Sequence, residues 1–260
     1  VGDLNFNRAI VRTAPRAAVN GLRAVDVGAP NIDALRREQD AYIAALQSAD
    51  VTVSVLPPLE AYPDSLFVED VALVFTGAAI LLRPGAPTRR GEAAEIAPAV
   101  ERAFDRVLRL ETGTVEGGDV LTTPRGVYIG LSGRTNAAGA EALVALLAQI
   151  GRPGFVVQAP PDVLHLKSDC ALLDEETILC TARLAASEPF PGFRLLLTPE
   201  GEEGAANALR VGGEVFLSDA YPRTAEQLAA EGYVIKPLAT HEIAKVDAGL
   251  SCMSLRWRDR

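Results

Sequence analysis

Asp70-Val71-Ala72-Leu73-Val74-Phe75-Thr76-Gly77-Ala78-Ala79-Ile80-Leu81-Leu82 opens on a carboxylate and continues as two apolar runs parted by Thr-Gly. Apolar, partly β-branched runs on either side of a short glycine-bearing turn are the pattern of a β-hairpin. The pattern recurs. Asp119 leads Val120-Leu121-Thr122-Thr123, the turn Pro124-Arg125-Gly126 and Val127-Tyr128-Ile129-Gly130. Asp169 leads Cys170-Ala171-Leu172-Leu173, the polar Asp174-Glu175-Glu176 and Thr177-Ile178-Leu179-Cys180. Asn207 leads Ala208-Leu209-Arg210-Val211, Gly212-Gly213 and Glu214-Val215-Phe216-Leu217. The leading residues stand 49, 50 and 38 positions apart, the spacing of a modular repeat. Ala9-Ile10-Val11-Arg12 and Met253-Ser254-Leu255-Arg256-Trp257 supply one strand each and predict a fifth hairpin made from the two ends.

Helices are predicted between the hairpins. Asn31 is placed to cap one that runs to about Ser48 with Ile32, Leu35, Ile43 and Leu46 inward; Ile96, Val100, Phe104 and Val107 mark a second; Leu143, Leu146, Leu147 and Ile150 mark a third, closed by Gly151. A fourth is expected to start at the capping box Thr224-Ala225-Glu226-Gln227 and to end before Gly232. Short strands at Val51-Thr52-Val53-Ser54-Val55-Leu56, Phe155-Val156-Val157 and Tyr233-Val234-Ile235 follow helices. The module is strand, hairpin and helix, repeated about five times around an axis. In such an α/β ring the residues that open equivalent strands converge on the axis, where a ligand pocket is expected.

Composition narrows the function. The 260-residue chain is 48% apolar, enough for a buried core, and is read as a single catalytic domain over residues 1–260. Its 34 acidic against 25 basic residues make a nucleic-acid surface an unlikely partner and favour a small cationic ligand. The apolar runs are too short to span a membrane, and Val1-Gly2-Asp3-Leu4 lacks the character of a signal segment, so a soluble, cytoplasmic protein is expected. The helical outer faces permit a homodimer. Cys170, Cys180 and Cys252 form neither an even disulfide set nor a Cys-x-x-Cys pair, which points to reduced thiols.

Cys252 sits in Leu250-Ser251-Cys252-Met253-Ser254. His165, one of only two histidines, sits in Leu164-His165-Leu166-Lys167-Ser168-Asp169, and Glu116 in Val115-Glu116-Gly117-Gly118-Asp119. A thiol, an imidazole and a carboxylate are what a cysteine nucleophile requires. Spacing alone leaves the ordinary reading of each open, since free cysteines are commonly inert core residues and buried histidines commonly structural.

Further motifs lie along the chain: Pro63-Asp64-x-x-Phe67-Val68-Glu69-Asp70, Arg83-Pro84-Gly85-Ala86-Pro87-Thr88-Arg89-Arg90, Gly130-Leu131-Ser132-x-Arg134-Thr135-Asn136 and Lys245-Val246-Asp247 ahead of Cys252. With the Glu116 and His165 motifs, and in this order, they resemble the dimethylarginine dimethylaminohydrolases of the guanidino-group modifying (amidinotransferase) superfamily, which includes arginine deiminase. The resemblance implies a pseudo-fivefold α/β propeller, the pentein fold, in agreement with the repeat. It implies Cys252 as nucleophile, His165 as acid and base, and Glu116 as the carboxylate beside it. Asp70 and Asp247 would hold the guanidinium, with Glu69 in support. Arg89 and Arg134 would grip the substrate carboxylate, Asp64 and the carbonyl of Val246 the α-ammonium. Phe67 would join the substrate contacts, and Leu22, in Gly21-Leu22-Arg23, would sit on a lid. No metal or organic cofactor is implied. The chain departs from the family at Ala248, where glycine is common, and at Ser251, where threonine is.

The chemistry agrees with these assignments. A planar, permanently cationic guanidinium wants in-plane carboxylates, an amino-acid carboxylate wants arginine, and a poor electrophile wants a thiolate. Arg89-Arg90 also reads as a solvated pair at a helix start, Glu200-Gly201-Glu202-Glu203 as a solvated loop, and His241 as a surface residue. Asp119 and Asp169 are expected to be structural, accepting main-chain hydrogen bonds. Cys170 and Cys180, in apolar strands, are read as inert. Two alternatives stand beside methylarginine hydrolysis: a deiminase-like hydrolase of arginine or agmatine, and a guanidino-compound binding protein without turnover.

Overall fold

Every hairpin predicted from the repeat forms, and each gains a third strand. The computed structural model describes residues 4–161 and 163–259; Val1-Gly2-Asp3, read above for a signal segment, lie outside the described residues. In chain order, β1 (Arg8–Arg12), α1 (Ile32–Ser48) and β2 (Thr52–Leu56) are followed by β3 (Ala72–Phe75), β4 (Ala78–Leu81), α2 (Glu92–Ala103) and β5 (Val107–Arg109). Then come β6 (Val120–Thr123), β7 (Gly126–Leu131), α3 (Ala137–Gln149) and β8 (Gly154–Gln158). β9 (Cys170–Leu172), β10 (Thr177–Cys180), α4 (Ala182–Ala185) and β11 (Arg194–Leu197) form the next unit. The last comprises β12 (Leu209–Val211), β13 (Glu214–Ser218), α5 (Pro222–Ala230) and β14 (Val234–Leu238), after which β15 (Leu255–Trp257) returns to β1.

Among the described residues these strands make five three-stranded sheets of one topology. An inner strand pairs antiparallel with the middle strand, and the middle strand pairs parallel with the strand that follows the helix, as a helical crossover requires. The first sheet is closed by both ends of the chain, with Ile10 opposite Leu255. Inner strands β3, β6, β9, β12 and β15 are almost wholly buried, whereas the outer strands β2 and β8 are largely exposed. The arrangement is an α/β propeller. Helices pack outside the sheets through Leu35 and Leu46, Ile96 and Val100, Leu143 and Leu147, and Leu228, all fully buried. No helix among the described residues is long and apolar enough to cross a membrane.

Two expectations need correction. The second helix stops at Ala103; Phe104 turns extended and packs its ring 4.9 Å from that of Trp257, and Val107 opens β5. The fourth predicted helix, α5, starts at Pro222 and not at a Thr224 capping box. Its first N–H groups are capped from a distant loop, since the Glu202 carboxylate accepts from Arg223 N–H at 3.2 Å and Thr224 N–H at 2.7 Å. Glu202 is therefore buried and has a structural task, contrary to the solvated-loop reading. The Asn31 cap is as predicted, its side chain accepting from Ala34 N–H at 2.9 Å.

A 3-10 turn precedes each inner strand: Val68–Val71, Gly117–Asp119, Leu166–Ser168, Glu203–Ala206 and Leu250–Met253. These five turns meet around the axis and carry the chemistry.

Candidate active site

Asp70, Glu116, His165 and Cys252 are brought by four different turns to a cleft of about 360 Å³, which Leu22, Asp64, Phe67, Arg89, Arg134, Val246 and Asp247 also line. All the sequence-proposed residues except Glu69 thus gather at one place.

His165 is buried and its Nε2 lies 2.8 Å from Glu116 Oε2. Glu116 is held ready for that contact: Oε1 accepts the Ala86 N–H at 2.9 Å, and its own N–H donates to Thr135 Oγ1 at 3.2 Å. Gly118 is required beside the imidazole, because a Cβ there would come within 2.5 Å of His165 Nδ1. Burial opposes protonation of His165, but the Asp70 charge, the Glu116 hydrogen bond and Asp119 outweigh it and raise its pKa to about 9. The ring is a stored imidazolium at neutral pH.

Asp70 accepts the Gly118 N–H at 2.8 Å on Oδ1 and an Arg89 N–H on Oδ2. Burial would raise its pKa, yet His165⁺ and Arg89 prevail and lower it to about 2, so it stays a carboxylate. Arg89 is itself buried, which rules out the solvated-pair reading for it; Arg90 is exposed. Besides Asp70 it donates to Glu92 and to the carbonyls of Asp64 and Phe67. Burial raises the pKa of Glu92 to about 7 even against the pull of Arg89. Arg134 is freer. Its side chain is partly exposed, and Nη1 stands 3.7 Å from Glu116 Oε1.

Cys252 is half-buried. Burial first, then the charges of Glu69 and Asp70, push its pKa up to about 11, leaving a neutral thiol. Cys170 and Cys180 are also free, fully buried, and raised in pKa by the same desolvation, which fits the inert reading.

The Leu22 loop closes the cleft by main-chain contacts. Leu22 N–H donates to Asp64 Oδ1 at 2.9 Å, and Ala24 N–H donates to Asp247 Oδ2. Asp247 takes the left-handed conformation, φ 53°, at the end of the 3-10 turn Ile243–Val246, which aims its carboxylate back at that loop. Burial raises the pKa of Asp64.

Glu69 departs from its expected place. Neighbouring residues of a 3-10 turn point different ways, so Asp70 faces the cleft and Glu69 faces a second cavity, about 950 Å³, on the other side of the turns. There its carboxylate binds Lys167 Nζ at 2.6 Å, Arg256 Nη2 at 2.9 Å and the Ser251 hydroxyl at 3.0 Å. It braces the Cys252 turn from behind. Asp119 is structural as expected, accepting the Leu166 N–H at 2.9 Å, whereas the Asp169 carboxylate accepts from the side chains of Thr181 and Arg183. His241 is exposed and pairs with Asp219. Asn207, which opens a strand of the repeat and is expected at the axis, does stand beside the thiol, its Nδ2 3.9 Å from Cys252 Sγ; the sequence reading assigned it no task there.

Residues 28–151 match the family model described as N,N dimethylarginine dimethylhydrolase, eukaryotic. The N(G),N(G)-dimethylarginine dimethylaminohydrolase of Pseudomonas aeruginosa is 41% identical over 97% of this chain and 100% of its own length. The protein of the same name from Streptomyces coelicolor is 37% identical over 95% of each. The crystal structure of the Pseudomonas protein, as a cysteine-to-serine variant complexed with citrulline, superimposes with a TM-score of 0.94 over 97% of this chain and 99% of that one. With near-complete coverage in sequence and in structure, the chain belongs to the dimethylarginine dimethylaminohydrolase family.

Proposed function

We propose that this protein hydrolyses Nω-methylated L-arginines to L-citrulline and methylamine or dimethylamine through a covalent intermediate on Cys252. The observation that carries the reading is the cleft itself, lined by a thiol, a buried His165–Glu116 pair, the carboxylates Asp64, Asp70 and Asp247, and Arg134. The guanidinium lies against Asp70 and Asp247, its α-ammonium against Asp64 and the Val246 carbonyl, and its α-carboxylate against Arg134 and Arg89. Phe67 and Leu22 complete the enclosure.

A bound cation beside the carboxylates that raise the thiol pKa offsets them and favours the thiolate, the thiol proton passing to solvent because His165 is already protonated. Sγ attacks the guanidinium carbon, and the tetrahedral adduct expels the alkylamine, which takes its proton from the His165 imidazolium. An S-alkylthiouronium remains. Neutral His165 then removes a proton from water as the oxygen attacks the same carbon, and the neutral adduct collapses to the ureido product as its hydroxyl proton passes to the departing sulfur, which restores the Cys252 thiol. Glu116 keeps the ring oriented throughout. The scheme uses no metal or organic cofactor. Site residues drawn from positions 22 to 252 support a single catalytic domain, and three free cysteines support a reducing, cytoplasmic setting.

Turnover assayed with asymmetric dimethylarginine beside arginine and agmatine tests the proposal. Citrulline from the methylated substrate alone supports it; binding without product supports the non-catalytic alternative; turnover of arginine or agmatine in preference supports the deiminase-like one. Arg134→Ala should raise the KM for dimethylarginine by roughly 5- to 150-fold, the equivalent of ~1–3 kcal/mol for a charge-assisted contact. Agmatine, which lacks the carboxylate, should lose nothing.

The pH dependence has a definite sign. With the thiol near 11 in the free protein, haloacetamide alkylation of Cys252 should climb about tenfold per pH unit from neutrality to beyond pH 9. Loss of the imidazolium proton near 9 should pull kcat/KM down on the alkaline side. In the complex, where substrate charge stabilises the thiolate, the rising limb of kcat should lie at lower pH than that of kcat/KM. An alkylation profile that levels off below pH 8 would refute the neutral resting thiol.

A further inference from the structure

The turns around the axis are linked in sequence. Asp70 Oδ1 accepts the Gly118 N–H at 2.8 Å, Asp119 Oδ1 accepts the Leu166 N–H at 2.9 Å, and Asn207 Oδ1 accepts the Ser251 N–H at 3.0 Å. In each case the side chain at the end of one 3-10 turn ties down the main chain at the next. Two of these residues are aspartates. The third, whose neighbour turn holds Cys252, is an amide. Its Nδ2 donates to the Lys167 carbonyl at 3.2 Å and stands 3.9 Å from Cys252 Sγ. The segment ahead of the cysteine lies flat against this amide, since a Cβ at Gly249 would come 2.5 Å from Asn207 Cγ and Oδ1.

We infer that Asn207 is the positioning residue for Cys252, and that an amide stands there because the tie must be made without a further carboxylate beside the thiol. The inference deepens the proposed mechanism and rests on Cys252 being its nucleophile. An amide satisfies both demands at once: its oxygen takes the Ser251 N–H, as the aspartates do at their turns, and its N–H groups turn toward Lys167 and the sulfur. The charged groups around Sγ are Glu69 and Asp70 from one turn, His165 and Lys167 from another, and Asp247 from its own segment, with Arg256 held on Glu69. Two carboxylates already disfavour the thiolate. A third, in van der Waals contact, would oppose it further, while the amide presents the positive end of an N–H dipole.

Asn207→Asp is nearly isosteric, keeps the acceptor for Ser251 and adds the charge, at the loss of the hydrogen bond donated to the Lys167 carbonyl. Peptide-resolved alkylation of Cys252 by a haloacetamide as a function of pH is expected to shift upward by about one unit or more, a tenfold or larger loss of thiol reactivity at pH 8. Asn207→Ala, which removes the tie without adding charge, is expected to lower kcat for dimethylarginine at least tenfold with KM within about threefold. Restoring an amide as Asn207→Gln should recover part of that loss, as a filler of the same size without a carbonyl should not. Superimposable alkylation profiles for Asn207→Asp and the unaltered protein overturn the electrostatic role, and a wild-type kcat for Asn207→Ala overturns the positioning role. Alkylation needs no substrate, so it reads the Asn207–Cys252 relation even if dimethylarginine proves not to be turned over; that failure would show in the unaltered protein's assay alone.

Discussion

Cys252→Ser is expected to lose roughly 10⁴-fold or more in turnover of dimethylarginine while binding it within a few-fold of the unaltered affinity. The loss comes from the nucleophile. A serine hydroxyl ionises far above a thiol, and the nearest basic group, His165, is already protonated with its pKa raised to about 9, so it cannot serve as a general base in the resting site. The charges of Glu69 and Asp70, on either side of the turns, would oppose an alkoxide as they oppose the thiolate. Binding survives because Asp64, Asp70, Asp247 and Arg134 reach the cleft independently of the sulfur. Calorimetry would give the affinity and a citrulline assay the rate. A variant retaining a tenth of the activity would exclude covalent catalysis through this residue.

The repeat was legible because its signals are local. A polar residue, an apolar run, a turn and a second apolar run specify a hairpin whatever surrounds them, and the five hairpins stand where these signals fall. Asn31 announced α1 by the same logic, since an N-cap is decided by three residues. The misread features depend on contacts distant in sequence. Phe104 and Val107 extend the period of α2, yet Phe104 leaves the helix to reach Trp257 on the last strand. Glu202 caps α5 from some twenty residues upstream, which no short window contains. Glu69 and Asp70 are adjacent in sequence and so suggested one site, but the turn that carries them sends one to each side. Arg89 and Arg90 looked alike for the same reason, until Asp70 and Glu92 buried the first of them. Asn207 was legible as a member of the repeat. The ring closed by both ends of the chain also put it near Cys252; the contact through its amide nitrogen is what the structure adds.

The second large effect is expected of Asp70→Asn, which should cut kcat/KM for dimethylarginine by roughly 10²- to 10⁴-fold. Asp70 is the carboxylate at which the parts of the site meet: Gly118 N–H on one oxygen, Arg89 on the other, and the His165 imidazolium close by. An amide in its place keeps one acceptor and turns the other into a donor that faces either Arg89 or the Gly118 N–H. Removing one partner of a buried charge pair costs about 3–5 kcal/mol, which corresponds to two to four decades if it is felt in the transition state. Two further consequences separate this from simple unfolding. His165 loses the largest of the charges that raise its pKa, so the alkaline limb of kcat/KM should move to lower pH, while the thiol loses one of the carboxylates opposing it and should be alkylated more readily at pH 8. A destabilised but otherwise unaffected enzyme would show neither shift. An Asp70→Asn protein with unaltered kcat/KM and an unaltered alkaline limb would mean that this residue belongs to the fold alone, and that the guanidinium rests on Asp247 without it.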